Sequence, residues 1–248
     1  MAGVWSVARR ELFSLWVTPL AWLLLCAFLL MNGAAFVATL GSLTAFGMNG
    51  IDVGPLQAYY GQSIFIPLGY LLVCPLLSMR TLAEERRTGT AELLLSAPIS
   101  SASIVVGKYL ALAFTYLGMW LPTLLYPFIL RNTGHVEWAV VASSYIGVVG
   151  LGLGFLGVGV LTSSLTTNQL LAAVFSGTLV FLLMLCGVGE QIYQDGPWHA
   201  VLAHLSIQSL LTECAQGIVS TRRLVYLATL VVLPLFLAAR AVDRWRDA

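Results

Sequence analysis

The 248 residues are 59% hydrophobic and only 9% charged, with a mean hydropathy of +0.90. A soluble domain carries about 25% charged residues, so this chain cannot cover a water-exposed surface and reads as an integral membrane protein. Twelve basic residues against eleven acidic ones leave a net charge of +1, which offers no footing for a nucleic-acid partner; the positions of the charges carry the information instead.

Residues 4–16 place apolar side chains at Trp5, Ala8, Leu12, Leu15 and Trp16. That is the spacing of an amphipathic helix, with Arg9 and Arg10 expected on its opposite side, and such a helix lies in the membrane interface. Thr18-Pro19 then turns the chain inward. The apolar run after Arg9, Arg10 and Glu11 is too long for the core of a secretion signal and no clear cleavage site follows it. The first span is therefore expected to stay in the mature protein.

A span needs roughly 20 apolar residues. Charge-free intervals predict six of them, at about 17–39, 62–79, 104–130, 139–161, 170–189 and 222–240. The polar cluster Thr162-Ser163-Ser164 and Thr166-Thr167-Asn168-Gln169 reads as the turn dividing the fourth from the fifth. Continuous runs without alternation exclude a β-barrel. The fold class is all-α, a polytopic membrane protein forming one transmembrane domain over 1–248.

With both termini cytoplasmic, the inner side holds Arg9, Arg10, Arg80, Arg86, Arg87, Lys108, Arg240, Arg244 and Arg246, and the outer side only Arg131, Arg222 and Arg223. The bias of basic residues toward the cytoplasm favours this orientation. Cys26, Cys74, Cys186 and Cys214 show no metal spacing and read as apolar fillers.

The segment between the second and third spans, 80–103, holds a two-signed charge cluster: Arg80, Glu84, Glu85, Arg86, Arg87 and Glu92. Gly89 breaks the helix leaving the second span, Thr90 caps a new one and Pro98 stops it. Topology requires only the arginines. The interleaved glutamates and the Leu93-Leu94-Leu95 patch fit docking against another protein.

The run Glu84-Glu85-Arg86-Arg87-Thr88-Gly89-Thr90-Ala91-Glu92-Leu93-Leu94-Leu95-Ser96-Ala97-Pro98-Ile99-Ser100, followed by Ile104-Val105-Val106-Gly107-Lys108, closely resembles the cytoplasmic loop of type-2 ABC-transporter permeases. It is most similar to the gliding-motility-associated subfamily. The segment Gln216-Gly217-Ile218-Val219-Ser220-Thr221-Arg222-Arg223-Leu224-Val225-Tyr226 and the amphipathic helix before Thr18-Pro19 resemble that subfamily too. The resemblance implies a coupling helix seated in a groove of a separate ABC ATPase. Contact would be carried by Glu84, Glu85, Arg86, Arg87, Thr88, Gly89, Thr90 and Glu92, and Arg9 and Arg10 would anchor the elbow helix nearby. It further implies an exporter in a bacterial inner membrane, in contact with lipid. Two permease chains, identical or not, would work with ATPase subunits that hold ATP and Mg. An accessory periplasmic protein is compatible with this reading.

The chain itself is expected to bind no cofactor or metal and to be no enzyme. Gly152-Leu153-Gly154-Phe155-Leu156-Gly157 matches a dinucleotide-binding pattern, but no strand precedes it and it lies inside an apolar span. Gly147, Gly150, Gly154 and Gly157 instead form one smooth helix face for close packing. Between the fifth and sixth spans, 190–221 carries Trp198, Leu202, Leu205, Ile207, Leu210 and Leu211 at helical intervals, predicting one or two short helices resting on or dipping into the outer leaflet, and the resemblance implies that they are re-entrant. His199, His204, Glu190 and Asp195 there could form a metal or proton site, although solvated histidines are the commoner case. An intramembrane peptidase would need a Ser and a His, or two Asp, at matching membrane depth, but His135, His199 and His204 all fall in outer loops and no Asp lies within an expected span. The main alternative is an ATPase-independent secondary transporter or channel, but no ionisable residue falls mid-span, where ion coupling needs one.

Overall fold

The computed structural model describes residues 2–45, 54–90, 100–132, 136–192 and 197–245. Glu92, the Leu93-Leu94-Leu95 run, Pro98, His135, Asp195 and Arg246 lie outside them. Helices account for the described secondary structure, with no strand among these residues. The elbow helix α1 (Ala2–Val17) is followed by α2 (Pro19–Ala45), a short turn α3 (Pro55–Gln57) leading into a π-helical turn at Ala58–Gln62, and α4 (Phe65–Ser78). Next come α5 (Ala83–Thr88), α6 (Ser101–Trp120), a 3-10 turn at Leu121–Leu124 and α7 (Leu125–Arg131). The chain continues through α8 (Trp138–Leu165), α9 (Gln169–Ile192), α10 (Pro197–Leu205), α11 (Ile207–Ala215) and α12 (Thr221–Arg244).

Six stretches are long and apolar enough to cross a membrane: Pro19–Leu43, Phe65–Thr88, Ser101–Arg131, Trp138–Leu165, Gln169–Ile192 and Thr221–Arg244. Each overlies one of the six expected runs. The breaks within them have local causes. Pro122 removes a backbone donor and shifts the end of α6 into the 3-10 turn. At the same end of the bundle, the Gly61 carbonyl of the π turn accepts from Gln208 Nε2 at 2.6 Å and Thr212 Oγ1 at 3.2 Å, which seats α11 on that turn.

The polar cluster at the end of α8 is a correction to the sequence reading. Thr162, Ser163 and Ser164 do not form a turn: the helix runs through them to Leu165 and breaks only at Thr166–Asn168. Thr162 Oγ1 donates to the Gly159 carbonyl at 3.0 Å and Ser164 Oγ to the Leu161 carbonyl at 2.7 Å. Hydroxyls satisfied on their own preceding turn are compatible with a helix interior.

Helices α4, α6 and α8 are mostly buried, whereas α2, α9 and α12 are far less so and present exposed apolar side chains such as Leu30, Val174 and Val232. Glycines bring α8 to the centre. A Cβ at Gly147 would stand 2.8 Å from Cys214 Sγ of α11, one at Gly150 2.8 Å from Leu227 Cδ1, and one at Gly154 2.7 Å from Leu230 Cγ of α12. Gly157 meets the backbone of the same helix, with Val231 O at 3.4 Å. A second glycine face was not anticipated: Gly152 abuts the Tyr116 ring of α6, and Gly159 abuts Ser78 of α4. Buried polar side chains pair within this packing; Asn32 of α2 donates to the Phe28 carbonyl at 2.8 Å and accepts from Tyr59 Oη at 2.9 Å.

At the end opposite the elbow helix, α10 and α11 are the two short helices expected there. Arg223 of α12 joins them, donating from Nε and Nη2 to Glu213 at 2.9 and 2.6 Å, and from Nη1 to the Ala203 and His204 carbonyls at 3.0 Å each. The hydrogen bond from Arg223 holds the Glu213 carboxyl below the usual carboxylate range. A depressed folded-state value means stability that is present above the ordinary value of about 4.3 and lost as pH falls through the folded value. The protection of the 207–215 amides, taken relative to their intrinsic exchange rates, is therefore expected to fall on acidification below about pH 4, and a Glu213→Gln variant should show low protection at every pH. Protection independent of pH in the parent chain would remove Glu213 from this role.

Candidate functional site

The charged segment after the second span is built by a helix break. Ser78 Oγ donates to the Cys74 carbonyl at 2.7 Å and Thr81 Oγ1 to the Ser78 carbonyl at 2.7 Å, closing the end of α4 in a tight turn. The two backbone N–H groups that open α5, those of Leu82 and Ala83, donate to Ser163 Oγ at 3.1 and 3.0 Å, and that hydroxyl donates to the Met79 carbonyl at 3.1 Å. A buried serine on α8 thus supplies the cap that α5 lacks locally. Glu84 and Glu85 occupy the first turn of α5 and Arg86 and Arg87 the last, each sign matching the helix dipole. Gly89, at φ 72°, adopts the left-handed conformation that ends the helix at Thr88.

Replacing Ser163 with alanine leaves two buried N–H groups and one carbonyl unsatisfied. A loss of about 1–3 kcal/mol is expected, read as a lowered thermal midpoint in detergent. A Ser163→Thr variant that holds the midpoint and a Ser163→Ala variant that does not would assign the effect to the hydroxyl; equal midpoints for Ala and parent would refute it.

The residues of α5 divide by direction. Glu84 pairs with Arg80 one turn earlier, Nε to Oε2 at 3.0 Å, in a surface ion pair of small energetic weight. Arg87, Thr88, Gly89 and Thr90 are exposed. The Thr88 and Thr90 hydroxyls lie 3.0 Å apart, and Thr88 Oγ1 donates to the Glu84 carbonyl at 2.9 Å. Arg86 sits over the Trp245 ring, 4.9 Å from its centroid, and so ties α5 to the end of α12.

Glu85 points inward. Its Oε1 accepts from Lys108 Nζ at 2.8 Å, and the same ammonium donates to Glu11 Oε1 of the elbow helix at 2.5 Å. The Lys108 side chain is 2% exposed and that of Glu85 17%. One buried cation from α6 thus joins the elbow helix to the loop helix, across 97 residues of sequence in one case. Glu85 Oε2 is buried without a hydrogen-bond partner among the described residues. Separating any of these elements would strand an ion in a desolvated place, which costs several kcal/mol, so α1, α5 and the start of α6 are coupled mechanically.

The elbow helix itself differs from the sequence reading. Its bundle-facing side is Val4, Val7, Ala8 and Glu11, with Gly107 of α6 approaching so closely that a Cβ there would lie 2.9 Å from both Val4 O and Val7 Cβ. Arg9 and Arg10 are not opposite an apolar stripe. They line a shallow outward groove with Trp5, Leu12, Phe13 and Trp16, because residues 5, 9, 12, 13 and 16 recur at three- and four-residue steps on one side.

Other candidates do not assemble. No group of three metal-type ligands occurs among the described residues. His204 Nδ1 instead accepts from Arg222 Nε at 2.9 Å, and Glu190 Oε2 accepts from Ser209 Oγ. Lys108, Glu11 and Ser163 are the residues of this corner to which sequence reasoning assigned no functional role. The lysine, two turns into an apolar helix, was the one signal available.

A family model described as ABC-2 family transporter protein matches residues 54–205, more than half of the chain and the whole stretch from α3 through α10. No curated protein matches the sequence. The six spans, the capped loop helix and this match agree: the chain belongs to the ABC-2 transporter family, as a multi-pass membrane permease subunit of an ABC transporter and not its catalyst.

Proposed function

We propose that this chain is an exporter permease of the gliding-motility-associated kind, set in a bacterial inner membrane with both termini cytoplasmic. Its partner is an ABC ATPase that holds ATP and Mg and docks on the outward side of α5 and the segment after it. Glu84, Arg86, Arg87, Thr88, Gly89, Thr90 and Glu92 belong to that docking surface, and Glu85 acts from beneath it. The observation that carries the reading is the Lys108–Glu11–Glu85 cluster, which makes the loop helix rigid against the elbow helix and the third span. ATP-driven closure of an ATPase pair would push on α5, and the cluster would pass that motion to α6. Two permease chains, identical or not, would complete the assembly through the exposed apolar helices, and an accessory periplasmic protein could join them. An ion-coupled transporter is supported less well, because the buried ionisable cluster lies at the elbow end and not in mid-span.

The test is affinity purification of the chain from its own membranes, with a co-purifying ABC ATPase identified by mass spectrometry. A Glu84→Arg/Arg87→Glu variant is expected to stay in the membrane with an unchanged thermal midpoint while losing the ATPase and ATP-dependent activity. Undiminished co-purification and activity in that variant would overturn the docking surface.

A further inference from the structure

The outward groove of the elbow helix is only partly used in packing: the Trp5 ring meets Phe114 of α6 edge-on at 6.4 Å and Trp16 lies against Gly118, while the side that carries Arg9 and Phe13 stays open. Trp5 is 61% and Phe13 73% exposed, a large cost in water for two aromatic rings on one short helix. Between them stand Arg9 and Arg10, both exposed. Neither has a carboxylate within 4 Å among the described residues, since the adjacent Glu11 is turned inward to Lys108. Trp16 closes the groove; its ring meets Trp22 edge-on at 5.3 Å, and Trp22 Nε1 donates to the Trp16 carbonyl at 2.9 Å, so the far wall is braced by the first span.

Two guanidiniums with no carboxylate within 4 Å, set among interfacial aromatics, complement a phosphodiester carrying a net negative charge; Arg10 also feels the more distant Glu85 carboxylate, which Lys108 already holds. We propose that this groove is a binding site for the headgroup of an anionic phospholipid of the bilayer. The guanidiniums would hold the phosphate by charge-assisted, two-pronged hydrogen bonds, while Trp5, Phe13 and Trp16 pack on the glycerol and upper acyl region, where aromatic rings favour the interface. A zwitterionic headgroup brings its own ammonium and gains less. This site rests on the membrane fold and the elbow geometry alone, and its failure would leave the ATPase reading untouched.

The experiment titrates the purified full chain in detergent with phosphatidylglycerol or phosphatidylcholine and counts bound lipid by native mass spectrometry. Phosphatidylglycerol should bind preferentially. Each basic side chain near a membrane surface contributes about 1 kcal/mol, so Arg9→Gln/Arg10→Gln should weaken it about 30-fold. Arg9→Lys/Arg10→Lys should retain most of the binding, and added salt should weaken the parent but not the Gln variant. Equal binding of the two lipids, or equal phosphatidylglycerol affinity in parent and Gln variant, would overturn the proposal. So would a Gln variant that keeps phosphatidylglycerol but loses the co-purifying ATPase, which would assign the arginines to protein contact. Circular dichroism of the Lys and Gln variants confirms that helicity is common to both.

Discussion

Replacing Lys108 with methionine is expected to destabilise the protein by about 3–5 kcal/mol, the cost of leaving buried charge unpaired. The methionine fills a similar volume, but Glu11 and Glu85 are then left facing one another with no cation between them. The corner can respond only by protonating a carboxyl or by opening, and opening detaches the elbow helix from α5. Thermal unfolding in detergent, followed by tryptophan fluorescence, should show a clearly lowered midpoint, and ATP-dependent activity should vanish. The charge-free variant Glu11→Gln/Lys108→Met/Glu85→Gln should regain most of the midpoint, since neutral replacements of a buried ionic set are often nearly neutral in stability. Glu11→Gln alone should be milder than Lys108→Met, because one carboxylate still answers the ammonium. A Lys108→Met protein as stable as the parent would show that the cluster holds nothing together. A triple variant that is stable and fully active would keep its structural role and remove it from coupling.

The second large effect is expected at Gly152. A side chain there must enter the space of the Tyr116 ring, which is fully buried against α8. Overpacking of a closed interior costs about 1–3 kcal/mol and sometimes more, and in this case α6 and α8 must move apart, both of them central. Gly152→Val should therefore shift the protein toward aggregated or degraded material on size-exclusion chromatography. Gly159→Val, against Ser78 of α4, should be comparable and Gly154→Val, against Leu230, should come next, whereas Gly150→Ala meets only the end of a flexible leucine side chain and Gly157→Ala meets nothing nearer than 3.4 Å. A double-mutant cycle gives the sharper form. Tyr116 Oη has no hydrogen-bond partner among the described residues, so Tyr116→Phe should be harmless alone and should relieve part of the cost of Gly152→Ala. Equal effects at 152 and 157 would contradict the packing described.

Membrane character, six spans and an elbow helix were legible in the chain because each depends on local quantities. A run of about 20 apolar residues crosses a bilayer whatever its neighbours are, and a charge taken out of water needs a partner. The glycine face of α8 was legible for the same reason, since a helix repeats every 3.6 residues. The sequence could also place a helix end at Gly89, whose left-handed backbone closes α5, but not the break at 79–82 that parts α5 from the second span; the further helix expected from Thr90 to Pro98 lies largely outside the described residues.

Direction within α5 could not be read from spacing. Glu84 and Glu85 are neighbours of equal charge, and only the approach of Lys108 and Glu11 from two other helices makes one a surface group and the other a buried one. Ser163 looked like turn chemistry because a hydroxyl at a helix end usually is; its value as a cap for a helix 80 residues away exists only once α8 lies against α5. The same holds for Arg9, set among Trp5, Phe13 and Trp16 once the opposite side of its helix had been claimed by α6. The chain by itself determined where it is apolar and how often it crosses; packing between distant helices decided which of its few charges are joined and which are left outward for a partner.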